Sequence, residues 1–558
     1  MNKNLKRAGC FLCLATMIGS SFSFVACGGT GGTSIDPNKK QVWVSVFNGG
    51  FGDEWVQKTV DEFNLTHTET QFLLTEPNKD VTSKIEMAIM SGTTEADVFF
   101  ACESSVQSMM RRGTLMDLSN VLSSKPDGES GKTVAEKMKA KDLFKQVYSY
   151  NDTWYALPFN ESMAGYIYNH DLFVEEGFLL TQQDGITLTL GKDGKPNTYD
   201  DGLPVTMEEW DYMLTTIRSS GIYPFIYSNN QSGYTSRIVE GLWEQYDGTE
   251  NYEISYDYEG TYVKPSTGEE VSITPETGYL VAEMEGREKA LEFLENYATD
   301  KNRSAANAYV HPASDYTTTD HRIAQDKFVG GYKGRDSGDP NNMQIAMIAE
   351  GVWWENEARP MFNSLVEEGE VGQEYGTRDF RFMILPNFEG QKGIDGNGHG
   401  TVMAGGEHGA IFAKAQTDPV KIKAIEEFLA YVHSDAILKR CLIDVNCIRP
   451  FDLTLSNDEF KQLTKFGQNA WTIYNDTENI AINRAQAGQY ISELTYLPSV
   501  KPSRWTVTMG AGTIHHTTYV RPIYAVEEHT VAECMQAYIT GYKEDWKNIW
   551  DSYQSAIK

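Results

Sequence analysis

Positive charge is what this 558-residue sequence lacks most: 48 Lys and Arg stand against 78 Asp and Glu, a formal net charge of −30. Tracking a phosphate backbone requires Lys and Arg to neutralise it, so nucleic-acid binding is excluded as a function class. Cysteine is scarce, seven residues in all, which rules out a disulfide scaffold. No apolar run reaches the ~20 residues that a membrane-spanning helix needs; the longest near the start, residues 11–18, gives way to Gly19, Ser20, Ser21 and Ser23. Several chemical signatures are missing as well. There is no Gly-x-Ser-x-Gly nucleophile elbow. Gly128-Glu129-Ser130-Gly131-Lys132-Thr133 has Pro126 where a phosphate-binding loop needs its first glycine. Asp395-Gly396-Asn397-Gly398-His399-Gly400 starts like a calcium loop, but Gly406 stands where the bidentate Glu belongs. His515-His516 and His529-x-x-x-Glu533 have no partner set at zinc spacing. No metal or cofactor is expected.

What is present is globular: 40% hydrophobic and 12% aromatic residues, more rings than a disordered chain carries. The length suggests several domains or two large ones. Lys3, Lys6 and Arg7 open the chain, an uncharged stretch follows to Ile35, and small residues close the apolar part. That is the layout of a secretory signal. Phe24-Val25-Ala26-Cys27-Gly28 then resembles a bacterial lipobox, which implies a lipid on Cys27, and Gly28–Ser34 is a flexible tether. Loss of residues 1–26 removes three positive charges and takes the net charge to −33. Cys10 and Cys13 leave with the signal; Cys102, Cys441, Cys447 and Cys534 are expected as buried thiols, although Cys441 and Cys447 are spaced so that a bridge is open to them.

Residues 41–47 are apolar on both alternating faces, as in a strand buried on both sides of a parallel sheet. A helix follows from Asp53, with Trp55, Val56, Thr59, Val60 and Phe63 at helical spacing. Further strands are expected at 72–74 and 97–100, with helices over 81–90 and 106–112. Strands alternating with helices predict an α/β layered sheet. Ligands of open parallel sheets sit beyond the carboxyl ends of strands, which singles out Asn48, Asp53 and the loop 101–105. Two polar stretches, 182–203 and 247–278, carry turn chemistry and read as surface hairpins.

Asp97-Val98-Phe99-Phe100 with Gly113–Leu118, Trp154–Asn160, Gly165–Phe173, Pro204–Trp210, Ala346–Trp353 and the amphipathic helix after Thr417-Asp418-Pro419 together resemble the extracellular solute-binding proteins of ABC importers. Within them the sugar-binding, maltose-binding-protein-like group is the most similar. The resemblance runs from about 41 to 450 and is loose beyond. It implies a two-lobed clamp, each lobe a βαβ layered sheet, joined by hinge crossovers. Residues 1–26 are then a signal peptide and 27–40 a tether. Residues 41–155 begin the first lobe, 156–395 form the second, 396–465 return to the first, and 466–558 are a C-terminal helical segment packing on both. The glycine run from 396 to 409 suits the return.

The resemblance also implies site residues. Glu103 and Ser104 match a first-lobe loop that hydrogen-bonds sugar hydroxyls, Asn160, Glu161 and Ser162 the segment past the hinge, and Gln231 and Tyr234 a second-lobe polar-plus-aromatic loop. Trp353 and Trp354 stand where a stacking Trp is expected, one of the two packing in the core, and His399 in the glycine-rich return completes the set. Rings stack on the C–H faces of a sugar while planar polar groups bond its hydroxyls. The function implied is capture of a carbohydrate, an oligosaccharide, and its delivery to importer permease subunits. The protein would be a non-enzymatic monomer held by its lipid on the extracytoplasmic face of the membrane. A lipid-anchored glycoside hydrolase and a binder of a non-sugar solute are the alternatives.

Overall fold

The computed structural model describes residues 35–76, 82–101, 106–228, 233–314, 320–332, 344–405, 409–484, 526–527 and 529–556. Two sheets organise them. In chain order the strands are β1 (Lys40–Val46), β2 (Thr70–Leu74), β3 (Val98–Ala101), β4 (Ala156–Pro158), β5 (Met163–Asn169), β6 (Tyr223–Ile226), β7 (Ile345–Gly351), β8 (Phe380–Phe382), β9 (Thr401–Gly405), β10 (Ala410–Ala413) and β11 (Ile480–Ile482). The first sheet has the order β2-β1-β3-β10-β4. The second has β11-β9-β5-β7-β6, with β8 also paired to β5. The helices that matter below are α1 (Glu54–Thr66), α2 (Gly233–Asp247), α3 (Pro419–Val432), α4 (Asp435–Val445), α5 (Lys465–Asn475) and α6 (Val531–Ala556).

The first lobe forms as its periodicities dictate. β1 pairs in parallel with β2 and β3, and α1 buries Trp55, Val56, Thr59, Val60 and Phe63 against them. In the second lobe β5 and β7 are buried along their whole length, as central strands covered on both faces must be. At the end of the 128–133 stretch the Thr133 hydroxyl and the Glu136 carboxylate form a capping box for the helix Val134–Lys137. Cys441, Cys447 and Cys534 are buried free thiols; Cys102 lies outside the described residues.

Among the described residues the chain passes between the sheets three times. It leaves the first between Pro158 and Met163, after Ala156–Pro158 has paired with β10, so the passage falls later than the 156 boundary expected. It returns between Gly405 and Ala410. Residues 396–405 therefore still belong to the second lobe, because β9 pairs with β5 and β11. A third passage follows α4. Residues 450–452 are bonded to Lys137 and Lys139 of the first lobe, whereas α5 packs on β8 of the second. Within 247–278 the expected hairpin is only Gly260–Val263 with Glu270–Ile273; Thr249–Asp257 is helix. The C-terminal helix α6 packs on 275–283 and 285–293, and Trp546 fills the space over Gly278 that a Cβ would occupy.

Several carboxyls are fully buried. Burial pushes Glu355 up to about 7, against hydrogen bonds from Thr464 and Asn446 that favour its charge. Burial likewise takes Glu244 and Asp247 to about 7. A carboxyl raised in the folded state holds a proton that the unfolded chain releases. Its contribution is complete below the unfolded pKa and is lost as pH rises from there through about 7. These carboxyls favour a melting temperature that rises as pH is lowered from about 8 to about 5, against the opposite pull of His311 and His433, whose burial lowers their pKa. Glu355→Gln, a neutral mimic of the protonated side chain, should remove the share of Glu355 from that pH dependence. A pH dependence that Glu355→Gln leaves unchanged would contradict the burial argument.

Candidate functional site

Strand direction defines the crevice. In the first sheet Val46, Ala101, Pro158 and Ala410 all lie at one edge, since β1 and β3 run towards it and Ala410 pairs with both Ala101 and Pro158. In the second, Met163, Ile226, Gly351 and Gly405 lie together by the same reasoning. The passage at 159–162, and the return between Gly405 and Gly409, join these two edges, so the loops that leave the edges face each other across the crevice. Strand ends of this kind are where α/β sheets bind.

Trp353 is the centre of the second-lobe side. It follows β7, and its ring folds back over Gly351, where a Cβ would lie 2.2 Å from the indole. Tyr234, half-buried at the start of α2, stands 5.6 Å from it between ring centroids. The Arg237 guanidinium, one turn further along α2, lies 5.5 Å over the indole and 6.0 Å over the Tyr234 ring. Two rings and a planar cation thus pack as one continuous group, with Trp353 and Arg237 buried beneath the loops of the crevice. Beneath it Glu350 is completely buried and accepts from Gln325 Nε2 at 3.1 Å. Burial and the neighbouring Glu357 raise its carboxyl well above the usual range.

The first lobe reaches this surface through the loop after β1. Gly50 has φ +86°, and a Cβ there would meet the Trp353 Cβ at 2.8 Å; the close approach therefore demands glycine. Asn356 Nδ2 donates to the Gly50 carbonyl at 2.5 Å, tying the two lobes across the crevice. In the same loop Asn48 is exposed and Asp53 half-buried ahead of α1.

The segment past the first passage is structural wiring. Asn160 Oδ1 accepts from the Gly409 N–H at 2.6 Å, which binds the two passages to each other, and Asn160 Nδ2 donates to Ser162 Oγ. Glu161 has no solvent exposure; it accepts from the Tyr474 hydroxyl at 2.6 Å and pairs with Arg484. At the third passage Glu355 Oε2 accepts from Asn446 Nδ2 at 3.0 Å and from Thr464 Oγ1 at 2.6 Å.

Two expected residues lie elsewhere. Trp354 has no exposed surface and is enclosed by Phe328, Phe380, Phe466 and Phe362. The turn after Gly351 sends adjacent side chains to opposite sides, so one neighbour faces the crevice and the other the core. His399 stands before β9 at the end opposite the passage, exposed and paired with Asp395 at 2.8 Å. The glycines around it shape a surface loop, with positive φ at 393, 396, 398 and 400. Glu103, Ser104, Gln231 and Cys27 lie outside the described residues. Arg237 and Asn356 were not expected. Arg237 follows Tyr234 by three residues, a helical spacing that marks a shared face, whereas nothing in the sequence points Asn356 at Gly50.

Among the described residues no helix is long and apolar enough to cross a membrane. No curated protein matches the chain by sequence. Among solved structures it is similar to a chitin oligosaccharide binding protein (12% identity, TM-score 0.53, covering 92% of this chain and 100% of that one). It is likewise similar to RafE in complex with raffinose (13%, 0.52, 90% and 99%) and to a Thermus thermophilus maltotriose binding protein bound with maltotriose (16%, 0.51, 90% and 99%). At such identities the likeness is one of fold, a two-lobed α/β clamp. The description "bacterial extracellular solute-binding protein" matches residues 58–418, more than half of the chain, running through both sheets and the first two passages, and the chain belongs to that family.

Proposed function

We propose that this solute-binding protein captures a carbohydrate, an oligosaccharide, in the crevice between its lobes and hands it to the permease subunits of an ABC importer, without catalysis. The observation that carries the reading is the platform of Trp353, Tyr234 and Arg237 at the second-lobe strand ends, faced by the Gly50 loop. Rings accept the C–H face of a pyranose, and a guanidinium edge bonds its hydroxyls. The fold neighbours described as binding chitin oligosaccharide, raffinose and maltotriose support a saccharide over other solutes. Parting of the Asn356–Gly50 contact opens the platform, and closure over a sugar removes water from it.

A ligand bound by the folded chain alone stabilises it by about 2.7 kcal/mol at a hundredfold excess over Kd. A panel of neutral oligosaccharides should therefore include members that raise the melting temperature and are recovered unaltered. Release of reducing ends would move the case to a glycoside hydrolase, and stabilisation only by a non-sugar solute to a different cargo. Trp353→Ala should weaken saccharide binding by about thirtyfold or more, as loss of a desolvated aromatic anchor costs roughly 2–4 kcal/mol. Trp354→Ala should instead lower fold stability by roughly 3–5 kcal/mol. Normal saccharide binding by Trp353→Ala would remove the platform from the site.

Anchoring through a lipid on Cys27 belongs to the same proposal, on the strength of the lipobox-like run and the Gly-rich tether. Cys27→Ala should leave the signal uncut or release the protein from the membrane. Processing and retention equal to those of the natural chain would contradict it.

A further inference from the structure

A groove of about 600 Å³ lies at the third passage, between the 191–202 stretch and α5 of the second lobe and residues 453–455. Its volume falls within the range of small-molecule sites. Two half-buried rings line it, Tyr199 and Trp471, together with Thr198, Thr454, Thr472 and Asn475. We propose that this groove is a second saccharide site, weaker than the crevice and specific for neutral sugars.

The walls are held rigidly. Lys192 Nζ donates to the Leu385 carbonyl and to Thr401 Oγ1, and Asp200 Oδ2 accepts from the N–H groups of Lys192 and Asp193; these bonds fix the 191–202 stretch to the second lobe. The Tyr199 hydroxyl donates to Asp476 Oδ2 at 2.8 Å, which sets its ring plane. Trp471 is stacked on Tyr474 at 5.9 Å, and Tyr474 is held in turn by Glu161. Rings already fixed in place lose little freedom when a ligand binds.

Charge selects the occupant. The lining holds Asp193, Asp476 and one cation, Lys195, which is paired with Glu478 at 3.2 Å. An anionic ligand meets repulsion there, while a polyol meets hydroxyls, an amide and carboxylate acceptors around two apolar ring faces. Leu453–Leu455 follows directly on Asp452, which is tied to the first lobe through the Lys137 carbonyl and Lys132. The groove thus spans the third passage.

Calorimetric titration of the full chain with maltotriose, raffinose and chitotriose tests this. The natural chain should show two classes of saccharide binding. Thr472→Arg, at an exposed position on the groove wall, fills the groove without touching the core. It should leave the ligand-free melting temperature unchanged and weaken only the second class, by about tenfold or more, as should Trp471→Ala. Trp353→Ala should remove only the tighter class. A single class that Thr472→Arg leaves intact overturns the groove and spares the crevice. A single class lost in Thr472→Arg and retained in Trp353→Ala overturns the crevice reading instead. No binding of any of the three sugars contradicts both.

Discussion

Three strands of chain pass between two sheets, and each carries buried polar groups that must find partners away from water, so the passages are bonded to one another as much as to either lobe. Asn160 of the first passage holds the Gly409 N–H of the second. Glu161 draws in Tyr474 and Arg484, which lie beyond the third, and Glu355 holds Asn446 and Thr464 on either side of that third passage. An unpaired charge in such a place costs several kcal/mol, so these buried groups are bonded to one another across the passages. A clamp needs this kind of joint.

The same constraint explains which parts of the protein were legible in its sequence. β1 and α1 announce themselves because their periods are local: alternation over 41–47, then apolar residues three and four apart from Trp55 to Phe63. Trp353 and Trp354 could not be told apart by pattern, since neither a two- nor a 3.6-residue period separates neighbours across a turn. Their roles follow from the turn after Gly351 and from the aromatic residues Phe328, Phe380 and Phe466, gathered from distant parts of the chain. His399 was drawn into the expected site by its glycines, which look alike whether they serve a hinge or a loop at a strand's far end. The passages were placed a few residues early for a related reason. Ala156-Leu157-Pro158 and Thr401–Gly405 are short apolar segments whose lobe is decided only by their partner strands. Glu161 was seen as part of a ligand segment, but its partner Arg484 lies 323 residues away, and no local signal connects them.

The crevice and the groove behind it share this joint. The platform of Trp353, Tyr234 and Arg237 is presented by β7 and α2, both fixed in the second lobe, and meets the first lobe at Gly50. The groove is lined by Trp471, whose stacking partner Tyr474 ends at Glu161. Trp471, Tyr474, Glu161 and Arg484 thus form a short chain of packed and hydrogen-bonded side chains at the joint. Family membership sets the general task, binding a solute outside the cell.

Small-angle X-ray scattering on the full chain, with and without a saturating oligosaccharide, tests the central claim most directly. A clamp whose lobes pivot on three bonded passages should show a smaller radius of gyration and a shorter maximum dimension when the sugar is bound. Scattering curves that superimpose, with binding confirmed in the same samples, would contradict closure of the two lobes on a ligand.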